Sequence, residues 1–161
     1  MRDFRPILNI LGLLLCIESL ALLIPMFFDL IGNNKDWKQF FYISSITFLV
    51  GLVLYVGFKK EKMKINLRQA FLLTILSWLV IALFGSLPFI YSSSSLNFTN
   101  AFFESVSGIT TTGSTVISNL DSLSEGILIW RSLLQWFGGI GIIILAVAIL
   151  PTLQIGGMQL L

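Results

Sequence analysis

Four apolar stretches, residues 7–28, 40–58, 70–91 and 127–150, are each long enough to cross a bilayer, and a fifth segment between the last two is not. A hydrocarbon core of about 30 Å takes roughly 20 apolar residues in a helix. The fifth segment, residues 97–109, has its expected helical part at 101–109, which reaches only about 13 Å at 1.5 Å per residue. Lipid cannot satisfy exposed backbone groups, so such a half-span survives only where protein or a water-filled cavity lines it. The expected fold is therefore all-α integral membrane: four spans and one re-entrant half-helix.

Composition agrees and removes most other functions. Hydrophobic residues make up 56% of the chain and charged residues 11%, against about 25% charged in soluble domains. Mean hydropathy is +0.93. A lone Cys16 excludes an internal disulfide framework and a cysteine metal cluster. There is no histidine, and no nucleophile–base pair on which to build an enzyme. A net charge of +2 is far from a nucleic-acid groove. No cofactor is expected. Glu18 lies within the first span, where a central carboxylate costs roughly 2.5–3.5 kcal/mol. The Leu, Ile and Phe residues around it each return roughly 0.3–0.6 kcal/mol, so insertion wins. The run is too long for a cleaved signal peptide and no A-x-A-like site follows. Pro25 is expected to bend this helix without ending it.

Basic residues set the orientation. Arg2, Arg5, Lys59, Lys60, Lys62, Lys64 and Arg68 supply most of the positive charge, whereas residues 92–126 contain none. Lys35 and Lys38 are offset by Asp29 and Asp36. The positive-inside rule puts the N-terminus, the 59–68 loop and the C-terminal tail in the cytoplasm, with the half-span outside. The basic loop is read as a topology anchor, with an anionic-lipid site as the rarer meaning. Trp37, Trp78, Trp130 and Trp136 are read as interface or packing residues.

The informative stretch runs Thr99-Asn100-Ala101-Phe102-Phe103-Glu104-Ser105-Val106-Ser107-Gly108-Ile109 and then Thr110-Thr111-Thr112-Gly113-Ser114-Thr115. Thr99 or Asn100 can cap the helix start, and Glu104 in its early turns suits the dipole. The far end presents partial negative charge and free carbonyls, which favour a cation. The turn beyond offers backbone carbonyls and threonine hydroxyls, the ligands that replace a monovalent ion's hydration shell in selectivity filters. Gly113 is the expected site of unusual backbone conformation. Threonines 110, 111 and 112 are expected to stiffen an extended backbone. An ordinary loop with a short surface helix is the other reading of these residues.

Phe103-Glu104-Ser105-Val106-Ser107-Gly108-Ile109-Thr110-Thr111-Thr112-Gly113 resembles the pore loop of the Trk/Ktr/HKT potassium-transporter superfamily. Leu134-Gln135-Trp136-Phe137-Gly138-Gly139-Ile140-Gly141 is similar to the helix that follows it in Trk proteins. So are Ala146-Val147-Ala148-Ile149-Leu150-Pro151 and Gly156-Gly157-Met158-Gln159. Two helices ahead of the first repeat resemble the TrkH branch. The resemblance implies K⁺ transport through four helix–pore-loop–helix repeats around one pathway. It places Thr111, Thr112 and Gly113 in the ion-coordinating filter, with K⁺ at Thr111 and Thr112. Thr110 and Ser114 flank them, and Glu104 and Gly108 support the loop. It also implies a cytosolic nucleotide-binding regulatory ring as partner and the bacterial plasma membrane as location.

Only one of the four repeats is present. Residues 1–66 form the two leading helices with the basic loop, and residues 67–161 the repeat. Two arrangements complete an oxygen cage: a longer or split transporter supplying the remaining repeats, or a homotetramer. The two leading helices and the uncharged tail favour the former. The competing function is a non-conducting interaction or regulatory fragment of a transporter complex. Glu18 is expected to hydrogen-bond to a neighbouring helix and not to join an ion path. Arg131 pairs with Glu104 or Asp121, or else anchors at the interface. Gly138, Gly139 and Gly141 are read as close packing before a gating hinge. Pro151 is expected to end the last helix.

Overall fold

A computed structural model describes residues 4–59 and 67–157. The described chain is helical, without strands among the described residues. Helix α1 (Arg5–Ala21) runs into α2 (Leu23–Ile31), and the two together make the first long apolar element, Arg5–Ile31. Helix α3 (Trp37–Gly57) is the second. Helices α4 (Leu67–Gly85) and α5 (Leu87–Tyr91) make the third over Arg68–Tyr91. The short α6 (Phe98–Ile109) follows, then a 3-10 turn at Leu120–Ser122, then α7 (Glu125–Gly157), whose apolar part is Glu125–Ile144. Four helices are thus long and apolar enough to cross a membrane, with one short helix between the third and fourth. The boundary expected at residues 66 and 67 and most of the basic loop, residues 60–66, lie outside the described residues, as do Arg2, Met158 and Gln159.

The breaks have a common cause. Proline lacks an N–H, so the carbonyl four residues earlier loses its donor. Pro25 deprives Ala21 and Pro88 deprives Phe84, and the chain is interrupted at Leu22 and at Ser86 respectively. Both spans continue past the interruption, as expected for Pro25. Pro151 behaves differently from expectation: α7 carries on through it to Gly157. A proline kinks a helix without stopping it where the flanking residues keep helical dihedrals.

Helices α1 and α3 cross closely. A side chain on Gly12 would meet Tyr55 N at 2.5 Å and Gly51 O at 2.7 Å, the kind of approach that small residues permit between membrane helices. The Ser44 hydroxyl donates to Ser19 O at 2.7 Å across the same seam. The core lies where α2, α3, α5, α6 and α7 meet, around Phe40, Phe89, Ile109, Trp130 and Leu134. Trp130 is fully enclosed and its Nε1 donates to Gly85 O at 2.9 Å, which makes it a packing residue. This core is the wall against which the short helix rests.

Candidate functional site

Helix α6 starts earlier than its sequence suggests. The cap is Asn97, not Thr99 or Asn100: its side-chain oxygen accepts from Asn100 N at 2.9 Å. The helix therefore has 12 residues, about 18 Å, still well short of a span. Glu104 consequently sits in mid-helix, away from the first turn. Asn97→Ala is expected to cost about 1 kcal/mol, readable as a lowered midpoint in reversible unfolding from mixed micelles.

The return turn folds back onto the end of α6. Thr111 N donates to Gly108 O at 2.9 Å, and Thr112 N and Gly113 N both donate to Ser107 O, at 3.0 and 3.3 Å. Thr110 N and the Thr110 hydroxyl both donate to Val106 O. Three of the carbonyls expected to be free at this end, those of Val106, Ser107 and Gly108, are therefore occupied by the turn itself. Gly113 has φ +75°, as expected, but Thr111 has φ +60° as well. A β-branched residue in that region stores roughly 1–3 kcal/mol of strain, so the threonines do not simply extend the chain. The Ser107 hydroxyl holds Ser114 O at 2.6 Å, and the Thr110 and Thr112 hydroxyls lie 2.9 Å apart. Residues 110–116 are exposed along their length. Phe103, Val106, Ser107, Thr110, Thr112 and Ser114 line a cleft of about 170 Å³ beside them.

Glu104 clamps the strand from behind. It is buried, and its Oε1 accepts from the Thr115 hydroxyl and from Val116 N, each at 2.6 Å. Its Oε2 forms an ion pair with Arg131 of α7, which also donates to the Thr115 hydroxyl at 3.0 Å. Arg131 thus pairs with Glu104 and is not a surface anchor. Thr115 and Val116 belong to the clamp but carry no sequence signal, because a carboxylate can meet any backbone N–H.

Helix α7 presses on the end of α6. A side chain on Gly138 would overlap the Ile109 carbonyl, and one on Gly108 would meet Leu134 Cβ at 2.9 Å. Of the three glycines read as packing, only Gly138 is needed for this approach. Gly139 faces open space, and Gly141 would make ordinary contact with Trp78 at 3.7 Å. Gln135 Nε2 lies 3.8 Å from where a Gly113 side chain would begin.

Three carboxylates outside the loop depart from expectation. Glu18 has no hydrogen-bond partner on either oxygen among the described residues, so the bond to a neighbouring helix is not made. Asp29, assigned to a loop by its neighbours in sequence, is enclosed within α2. Its Oδ1 accepts from Gly126 N at 2.8 Å, in the first turn of α7, and from Asn34 Nδ2 at 3.2 Å. Asp36 accepts from Ser93 N and from the Ser93 hydroxyl just before α6. The first two spans thus hold both ends of the segment that contains α6 and its return strand.

The family model for TrkH, a cation transport protein, matches residues 37–161. The chain belongs to the TrkH family. The Trk system potassium uptake protein TrkH of Escherichia coli (strain K12) is 47% identical over 158 residues, covering 98% of this chain and 33% of that protein. The Trk system potassium uptake protein TrkI of Halomonas elongata is 38% identical, covering 99% of this chain and 32% of that protein. The crystal structure of the potassium transporter TrkH from Vibrio parahaemolyticus superposes with a TM-score of 0.89 at 42% identity, over 99% of this chain and 34% of that one. The chain therefore spans about a third of the length of the TrkH relatives it matches. TrkH-family membership makes it a multi-pass membrane protein of a transporter family, not of an enzyme family.

Proposed function

We propose that this chain supplies one wall of a K⁺ pathway, with oxygens drawn from Thr110, Thr111, Thr112, Gly113 and Ser114 replacing the water of a dehydrated ion. The observation that carries the reading is the return strand itself. Its N–H groups at 111–113 are spent on α6 carbonyls, it is clamped through Glu104, and it remains exposed along residues 110–116. An acceptor-rich strand held rigid at its back and open at its front suits a cation that must shed water. Relatives named as potassium uptake proteins and about three times as long support K⁺ as that cation.

One strand gives a quarter of a cage, so three more loops complete it. Remaining repeats on a longer or split chain fit the length of the relatives better than four copies of this one. Regulation from a cytosolic nucleotide-binding ring belongs to the same reading. The basic 59–68 segment and Arg2 and Arg5 favour cytoplasmic termini in a bacterial plasma membrane, with the filter near the outer surface.

Gly113→Ser tests the proposal, because φ +75° strains any residue with a side chain. In a transporter assembly containing this chain, ⁸⁶Rb⁺ uptake is expected to lose about tenfold in K⁺-over-Na⁺ preference, the equivalent of about 1.4 kcal/mol, with insertion intact. Unchanged selectivity in an active assembly transfers the function to the non-conducting interaction reading.

A further inference from the structure

The carboxylate of Glu18 is enclosed in the bundle, with 3% of the residue exposed and neither oxygen partnered among the described residues. The Ser105 hydroxyl of α6 is enclosed and unpartnered in the same way. The two groups converge on the same glycine, because a side chain on Gly85 of α4 would begin 2.8 Å from Ser105 Oγ and 3.2 Å from Glu18 Oε1, with Leu134 Cδ2 beside them at 3.1 Å. A charged carboxylate there would lack both solvent and a counter-ion, a far costlier state than the neutral acid.

Among the described residues, no cation is bonded to the Glu18 carboxylate. On α3, Lys38 lies over the Trp37 ring at the start of the helix, and Asp36 precedes that helix and holds Ser93. On α2, Asp29 is engaged with Gly126 and Asn34. On α4, Arg68 stands at the opening turn, seventeen residues before Gly85 along the helix. On α6 and α7, Glu104 and Arg131 pair with each other.

We propose that Glu18 carries a proton and is joined to the Ser105 hydroxyl through one buried water in the space that Gly85 leaves open: a proton-and-water site linking α1 to the back of α6. The neutral acid offers one O–H donor and retains acceptor capacity, and a hydroxyl offers both. One water can therefore bond to both groups, and buried waters typically serve such otherwise unpartnered atoms. Glycine at position 85 is what leaves the space, since a methyl there would push the Ser105 hydroxyl aside. The site stands independently of the conduction reading.

Infrared difference spectroscopy on the full 161-residue chain in lipid bilayers near neutral pH tests this. Wild type minus Glu18→Gln is expected to show the carbonyl stretch of a protonated carboxylic acid. Ser105→Ala removes the hydroxyl and Gly85→Ala fills the space, and each is expected to move that band to the higher frequency of a weakly hydrogen-bonded acid. Circular dichroism establishes that each variant keeps its helices, and either of the two suffices for the second comparison. Absence of a protonated band overturns the proposal outright. A band at the wild-type frequency in a folded Ser105→Ala or Gly85→Ala variant overturns the water link.

Discussion

Arg131→Met is expected to destabilise the folded chain by about 3–5 kcal/mol, the usual penalty for stripping one partner from a buried ion pair. Glu104 would keep the Thr115 hydroxyl and Val116 N as donors, but its charge would lose the cation paired with it in a site where its side chain has no exposure. Arg131 itself is 13% exposed, so little solvent is available to screen the loss. Reversible unfolding in mixed micelles measures the change. Glu104→Gln combined with Arg131→Met is expected to recover part of it, because the unpaired charge disappears with its partner, and the double-mutant cycle gives the coupling. A loss below about 1 kcal/mol, the level of an exposed pair, would show that the clamp does not depend on this contact.

Gly138→Ala is expected to affect ion selection more than any other single methyl added to α7. The atoms it meets are the carbonyl oxygen and carbon of Ile109, which cannot rotate away as a side chain would. Either α7 retreats or the end of α6 shifts, and Thr111, Thr112 and Gly113 are hydrogen-bonded to that end. Overpacking of this kind costs about 1–3 kcal/mol, and the displacement passes directly into the strand. In an assembly containing this chain, K⁺-over-Na⁺ preference in ⁸⁶Rb⁺ uptake is expected to collapse for Gly138→Ala and to be unaffected by Gly139→Ala, which meets nothing within 4 Å. Equal behaviour of the two variants would separate helix approach from the geometry of the return strand.

The spans were legible because hydrophobic length is a local property that the bilayer reads directly. Pro25 announced its own interruption for the same reason, since the lost bond lies one turn away along the same helix. The return strand after α6 stood out as a polar Thr/Gly run that lipid could not accept. What escaped the sequence were contacts between residues distant in the chain. Asp29 looked like a loop charge balancing Lys35 and Lys38 until its bond to Gly126, 97 residues on, placed it inside the bundle. Gly138 looked equivalent to Gly139 and Gly141 because the carbonyl that distinguishes it belongs to another helix. Asn97 was overlooked as a cap because the apolar run that marks the helix begins later than its first hydrogen-bonded turn. Thr111 could not be foreseen in a left-handed conformation, since β-branched residues adopt it only when surrounding bonds impose it.

The bonds from Asp29 to Gly126 and from Asp36 to Ser93 also bear on the order of assembly. A chain made from its N-terminus completes α1, α2 and α3 before residues 93–126 exist, and earlier parts generally fold first during synthesis. Two acidic side chains are then already in place at one end of that hairpin when the short helix and its return strand arrive between them. The later segment closes its loop onto fixed anchors, so the entropy of closure is spent against a target that no longer moves. The leading hairpin is in this sense a jig on which the re-entrant segment is set, and shortening it at Asp29 or Asp36 would leave that segment to find its depth unaided.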